Sequence, residues 1–348
     1  MTPDTITIRQ ADLDAAVAAG VLSRDTAQNL VAFVASADGT QTEDEQLRLV
    51  TGFGDIFVTI GLALFLGALT YLAGPFALPL AAWGMAEVFT RWKRMALPSI
   101  VLLLVFGFSV FAVTFMMFSG DDNLWASATN NAGISVAGLV TVIAISLHWL
   151  RFRVPITIAA AAAALVALLS GLIGMAAPQA LTAAPYAIFL PMGLAVFALA
   201  MWFDMGDLRR RTPKTDMAFW LHLLAAPLIV HPLVAAITTV GAMTQAGAVM
   251  IFIIFAVLSV VALVVDRRAL LVSSLTYLGY ALYHITSGGL LGGADSSTSV
   301  SILLVGAVVL GLSLAWKPMR RLLLSVMPEA IRASVPAVDA TYPKARAV

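Results

Sequence analysis

The sequence predicts an all-α fold: a polytopic transmembrane helix bundle of about ten spans, N-in/C-in, with a short cytosolic helical N-terminal segment. Three observations lead there. The chain of 348 residues is 61% hydrophobic and only 11% charged, whereas an ordinary soluble domain carries about 25% charged residues. The apolar surplus falls into stretches of roughly 20 residues, the length of helix that crosses a bilayer core of about 30 Å with its backbone hydrogen bonds satisfied internally. The basic residues recur in every second connection, in step with an even number of crossings.

The spans read as 54–73, 75–90, 95–118, 132–150, 154–177, 183–203, 217–239, 247–265, 269–287 and 298–316. Arg91, Lys93 and Arg94 follow span two, and Arg151 and Arg153 follow span four. Arg209, Arg210, Arg211 and Lys214 follow span six, Arg267 and Arg268 span eight, and Lys317, Arg320 and Arg321 span ten. The remaining basic residues sit in the two tails, so all 20 lie on one side. The opposite connections hold only Asp121, Asp122 and Asp295 as charges. The positive-inside rule then predicts both termini in the cytoplasm of a bacterial plasma (inner) membrane. Five of the seven tryptophans (Trp92, Trp149, Trp202, Trp220 and Trp316) flank the same boundary, where amphipathic indoles are favoured. Span two is short and carries Pro75 and Pro79, which predicts a tilted or partly re-entrant segment.

Three regions follow: an acidic cytosolic helical segment over 1–50, a transmembrane domain over 51–316, and a cytosolic tail over 317–348. The first fifty residues carry eight acids against Arg9, Arg24 and Arg48, a net −5. That charge excludes a nucleic-acid partner, which needs a basic face. The polar, acidic start is not expected to be a cleavable signal peptide, so span one is expected to act as the insertion signal. With no cysteine, disulfides and thiolate chemistry are excluded. Residues 7–36 read as two short helices. Thr7 and Gln10 have capping-box spacing, Gly20 breaks the first helix, and Ser23 caps the second, with Leu30, Val31, Phe33 and Val34 on its apolar side. Residues 36–42 read as a linker, and Thr42 with Glu45 as a further capping pattern. In the C-terminal tail, Leu322, Leu323, Leu324 and Val326 among basic residues predict a segment lying on the inner membrane surface.

Ala16, Gly20, Val21, Leu22 and Ser23, followed by Gly52-Phe53-Gly54-Asp55-Ile56-Phe57 entering span one, carry a resemblance. The layout resembles a loose group of bacterial multi-span membrane proteins with a short N-terminal cytosolic helical pair. The resemblance implies a helical membrane fold and no activity.

Ionisable groups inside spans usually face the protein interior. Here they are Asp55, Glu87, His148, His222, His231 and His284. At about 1.5 Å per residue, His222 lies about 9 Å and His231 and His284 each about 22 Å from the cytoplasmic side. Asp55, Glu87 and His222 form a looser inner-face polar cluster. Asp55 reads as a cap of span one, Glu87 as a partner of Arg91, and His148 as a headgroup contact beside Trp149 and Arg151. In span nine, Ser273, Tyr277, Tyr280, His284 and Ser287 recur at steps of four and three, drawing one polar stripe along a helix face. Gly288, Gly289, Gly292 and Gly293 follow it. The stripe lines either a cavity or a tight helix–helix seam. In span seven, Pro227 and Pro232 free backbone carbonyls beside His231. Ser273, Tyr277, Tyr280, His284 and His231 are therefore the candidate lining of a solute cavity.

Other chemistries find little support. Gly52-Phe53-Gly54-Asp55 matches the G-x-G-D string of intramembrane aspartyl proteases, yet Asp204, Asp207 and Asp266 all fall in or beside loops, not within a second span. No H-E-x-x-H is present, the four histidines lack ligand spacing, and no glycine-rich phosphate loop appears. Haem ligation by His231 and His284 rests on depth alone. No metal, no cofactor and no catalytic constellation is therefore expected. The expected partners are the lipid bilayer and a small solute. A small-solute transporter or permease ranks first among functions, a non-enzymatic scaffold or sensor using the acidic helices second, and an intramembrane enzyme third.

Overall fold

The computed structural model describes residues 10–39, 53–119, 130–208, 210, 212–238, 244–287 and 294–336. Among these the regular structure is entirely helical. Residues 10–39 belong to one compact unit and the described residues from 53 to 336 to another. In the first unit, α1 (Gln10–Ala18) and α2 (Arg24–Gly39) pack as a pair. Gly20 takes φ +72°, a left-handed conformation that glycine adopts without strain, and the chain turns there. The Ser23 hydroxyl accepts the backbone N–H of Thr26 at 3.1 Å, the capping bond its position predicts. α2 runs on to Gly39, so the first half of the expected linker is helical. The patterns at Thr7 and at Thr42 with Glu45 lie outside the described residues.

In the second unit every predicted span coincides with a helix. These are α3 (Phe53–Ala73), α4 (Ala77–Ala86), α5 (Ala96–Ser119), α6 (Asn131–Phe152), α7 (Ile156–Ala176), α9 (Pro185–Met205), α10 (Pro213–Thr238), α11 (Gln245–Val265), α12 (Leu271–Ser287) and α13 (Ala294–Ser325). The short α8 (Pro178–Ala183) connects α7 to α9, and α14 (Glu329–Ala333) follows α13. Eight of these helices are long and apolar enough to cross a membrane; α4 and α12 are the shorter ones. α4 continues as a π-helical turn over Glu87–Trp92, and α12 is preceded by a 3₁₀ turn over Arg268–Leu270. Pro79 sits in the first turn of α4, where its missing N–H interrupts no helical hydrogen bond. α10 runs as one continuous helix through Pro227 and Pro232.

The helices form two groups. α3 to α7 surround a core of Leu62, Leu66, Ala82, Leu102, Phe106 and Ile145. α10 to α13 surround Ala226, Phe255, Leu263, Leu278 and Trp316. The groups meet where α7 packs against α10, in a cluster of Ala159 from α7 with Leu221 and Ala225 from α10, joined by Val196 and Ala200 of α9; the alanines let the backbones lie close. The tightest pairs are α6 with α7 and α9 with α10. A Cβ on Gly138 would stand 2.6 Å from the Leu168 nitrogen, and one on Gly193 would stand 2.8 Å from the Leu228 carbonyl carbon.

Three expectations are corrected. α13 continues past Trp316 to Ser325 as one helix, with Arg320 and Leu324 buried, so this stretch is not a separate surface segment. Asp55 lies inside the first turn of α3, buried, and not at its cap. His148 is 1% exposed and makes no headgroup contact. Its ring sits among Trp83, Phe106 and Phe152 at centroid distances of 5.7, 5.6 and 4.5 Å.

Candidate functional site

α12 is amphipathic in an unusual sense. Leu271, Ser274, Leu278, Ala281 and Leu282 form its buried face. Ser273, Tyr277, Tyr280, His284 and Ser287 lie along an adjoining flank, half-buried or exposed. The sequence places these residues on one flank, as their four-and-three spacing requires. Tyr277 reaches α10, where its hydroxyl lies 2.5 Å from His231 Nδ1. Tyr280, 46% exposed, stands edge-on to His284 with centroids 4.5 Å apart, and Tyr283 flanks the same ring. His231 and His284 thus engage separate tyrosines. Ser287 donates to the backbone carbonyl of His284, closing the stripe on its own helix. The glycines over 288–293 lie outside the described residues.

The residues expected in an inner-face polar cluster take different partners. Glu87 receives two bonds from Arg151, at 2.7 and 2.9 Å, and a longer one from Arg91 at 3.5 Å. The fork of Arg151 matches the carboxylate geometry, so the residue 64 positions away outcompetes the helical neighbour. His222 turns to α9, and Asp55 remains on α3, where its carbonyl accepts Thr59 at 2.7 Å.

Sequence reasoning missed a dense charge cluster among the described residues. Asp204, at the end of α9, is 4% exposed; Arg267 and His222 are both 0% exposed. Arg267 donates to both carboxylate oxygens of Asp204, one through Nε at 3.2 Å, and to the Thr215 carbonyl at 3.2 Å. His222 Nε2 stands 2.8 Å from Asp204 Oδ2. One residue along from Arg267, Asp266 takes φ 60° at the C-terminus of α11 and pairs with Arg210 at 3.0 Å. Trp316 donates to Asp266 at 2.8 Å, and Arg320 lies 3.7 Å from it. Arg320 also donates to the Leu263 carbonyl at 3.0 Å and to the Pro336 carbonyl. α9, α10, α11, α13 and the chain after α14 are thereby fastened at one end. The signal in the sequence was acids interleaved with arginines in alternate connections: Asp204, Asp207, Asp216 and Asp266 beside Arg210 and Arg267.

The long apolar helices fit an integral membrane protein with a polar flank on α12 and a charge clasp closing one end of α9 to α13. No family model, curated protein or solved structure matches the chain.

Proposed function

We propose that this is an inner-membrane protein of bacterial type with about ten spans and both termini cytoplasmic, acting as a small-solute transporter or permease without an enzymatic step. Its solute seat is the flank between α10 and α12: His231, Tyr277, Tyr280, His284 and Ser273. The observation that carries this reading is the His231–Tyr277 contact on a flank that the bundle leaves open. Ionisable and hydroxyl groups within a membrane are costly against lipid and are found facing water, a ligand or protein. The two helix groups joined through α7 and α10 add support, since rocking of one bundle against another about a central site is a common transport motion. A scaffold or sensor is the alternative, supported by the separate unit formed by α1 and α2.

The cysteine-free chain makes the test direct. Single cysteines replacing Ser273, Tyr280 or Ser287 are expected to react with a water-soluble maleimide in intact membranes. Ile253 and Val257, exposed on α11, serve as lipid-facing controls and are expected to stay unreacted. If the α12 positions react no faster than those controls, there is no aqueous seat and the transporter reading fails.

A further inference from the structure

The arginines of the two helix groups meet different partners. In the C-terminal group, Arg210, Arg267 and Arg320 turn onto aspartates. Helices α3 to α7 carry Arg91, Lys93, Arg94, Arg151 and Arg153 for two acids, Asp55 and Glu87. Asp55 is buried on α3, and all five bases are exposed. Glu87 opens the π-helical turn at the end of α4. It accepts Nε and Nη2 of Arg151 from α6, at 2.7 and 2.9 Å, and Arg91 from its own turn at 3.5 Å. One carboxylate thus gathers guanidinium groups from two helices. Nη1 of Arg151 and the side chains of Lys93, Arg94 and Arg153 have no hydrogen-bond or ion-pair partner among the described residues.

The fold gains little from this cluster. Exposed ion pairs contribute only about 0–1 kcal/mol, and neighbouring cations repel one another. A phosphate gains more, because guanidinium forks match its oxygens. Trp92, in the same π turn, is 78% exposed, and indoles are favoured at headgroup level. Two exposed apolar rows lead away from the bridge. Leu80 and Val88 lie one turn either side of Gly84, where an added Cβ would meet nothing within 4 Å. Ile143, Leu147 and Leu150 form the row on α6. Cations for a phosphate at one end, with hydrocarbon surface running from them, match a phospholipid and not a free phosphate ion.

We propose that the Glu87–Arg151 bridge, flanked by Arg91, Lys93, Arg94 and Arg153, is a binding site for an anionic phospholipid. The phosphate sits on the unpaired donors, Trp92 lies beside the headgroup, and the acyl chains follow α4 and α6. Basic pockets between transmembrane helices recognise anionic headgroups in this way. Glu87 is the positioning residue that holds Arg151 toward α4. The site stands independently of any solute seat at His231.

Trp92 supplies the readout. The protein is placed in phosphatidylcholine bilayers containing brominated phosphatidylglycerol or brominated phosphatidylcholine, and the Trp92 signal is the difference from Trp92→Phe. Brominated phosphatidylglycerol is expected to quench it at a mole fraction about tenfold lower. Lys93→Gln, Arg94→Gln and Arg153→Gln remove no partner from the fold, and each is expected to weaken that preference about fivefold; the three together are expected to abolish it. Lys214→Gln, an equal charge change on α10, is expected to leave it unaltered. Thermal melts in detergent provide a second measurement that needs no Trp92 variant. Phosphatidylglycerol is expected to raise the melting temperature of the parent and not of the triple variant. Equal quenching by the two lipids, or a preference unmoved in the folded triple variant, overturns the proposal. Inorganic phosphate that stabilises the parent as much as the lipid does would assign an ion site and overturn it too.

Discussion

Two aspartates, Asp204 and Asp266, stand at the C-terminal ends of α9 and α11, where the helix dipole opposes negative charge. Each is retained because guanidinium groups answer it: Arg267 for Asp204, and Arg210 with Arg320 for Asp266. Removing one member leaves the other charged in a dry place. Arg267→Met is therefore expected to destabilise the protein by about 3–5 kcal/mol. Asp204→Leu with Arg267→Met is expected to recover much of the loss, because the pair then leaves as a neutral whole. Denaturant unfolding in detergent, run as a double-mutant cycle, measures both. His148 behaves in the opposite way. Its two ring nitrogens are buried without partners among Trp83, Phe106 and Phe152. His148→Phe is expected to leave stability unchanged or raise it, since replacing an unsatisfied polar group by an apolar one of similar shape removes a desolvation cost. A thermal melt showing a clear loss for His148→Phe would mean that the imidazole has a partner within the folded membrane protein.

At the scale of elements, glycine decides how closely the strongest helix pairs approach. Gly138 lies against the backbone of Leu168, with no flexible side-chain end to move aside. Gly138→Ala is expected to push α6 from α7 and cost about 1–3 kcal/mol, whereas Gly306→Ala on α13, with nothing within 4 Å of the new methyl, is expected to be neutral or slightly stabilising. Melting temperatures of the two variants, compared with the parent, separate packing from helix propensity. The helices themselves were legible because hydropathy and helix termination are local: α5 and α7 start and stop within a few residues of the apolar runs. The stripe on α12 was legible for the same reason, as 3.6-residue periodicity belongs to one helix. The partners were not. Asp204 and Arg267 are 63 residues apart, and Arg151 reaches Glu87 across 64. Nothing in a charge count distinguishes an arginine facing headgroups from one folded inward. His148 was misread on the same ground, because proximity to Trp149 and Arg151 along the chain says nothing about which side of α6 faces the core.

For the whole molecule, the number of crossings turns on α4 with its π turn and on α12. Together Ala77–Ala86 and Glu87–Trp92 make a helical run of 16 residues, about 24 Å at 1.5 Å per residue, against a hydrocarbon core of about 30 Å. If α4 crosses, the ion-paired Glu87, Arg91 and Arg151 near its end offset the shortfall by meeting the interface, and a bilayer thins locally around a short span at modest cost. Two threadings share cytoplasmic termini but differ at every connection between α4 and α12. With ten spans, the loops at Lys93, Arg153 and Arg268 face the cytoplasm, and those at Gly74 and Gln179 face outward. If α4 and α12 do not cross, Gly74 stays outside, Lys93, Arg153 and Arg268 join it there, and Gln179 moves inside. The charge distribution favours the first, because the second exports nearly every loop arginine against the positive-inside rule. Single cysteines at Gly74, Lys93, Arg153, Gln179 and Arg268 in the cysteine-free chain distinguish them with a membrane-impermeant maleimide on intact cells. Ten spans require labelling at Gly74 and Gln179 in intact cells and at the other three only after permeabilisation. Labelling of Arg153 and Arg268 in intact cells, with Gln179 protected, establishes the eight-span threading and moves the Asp204–Arg267 clasp to the outer face.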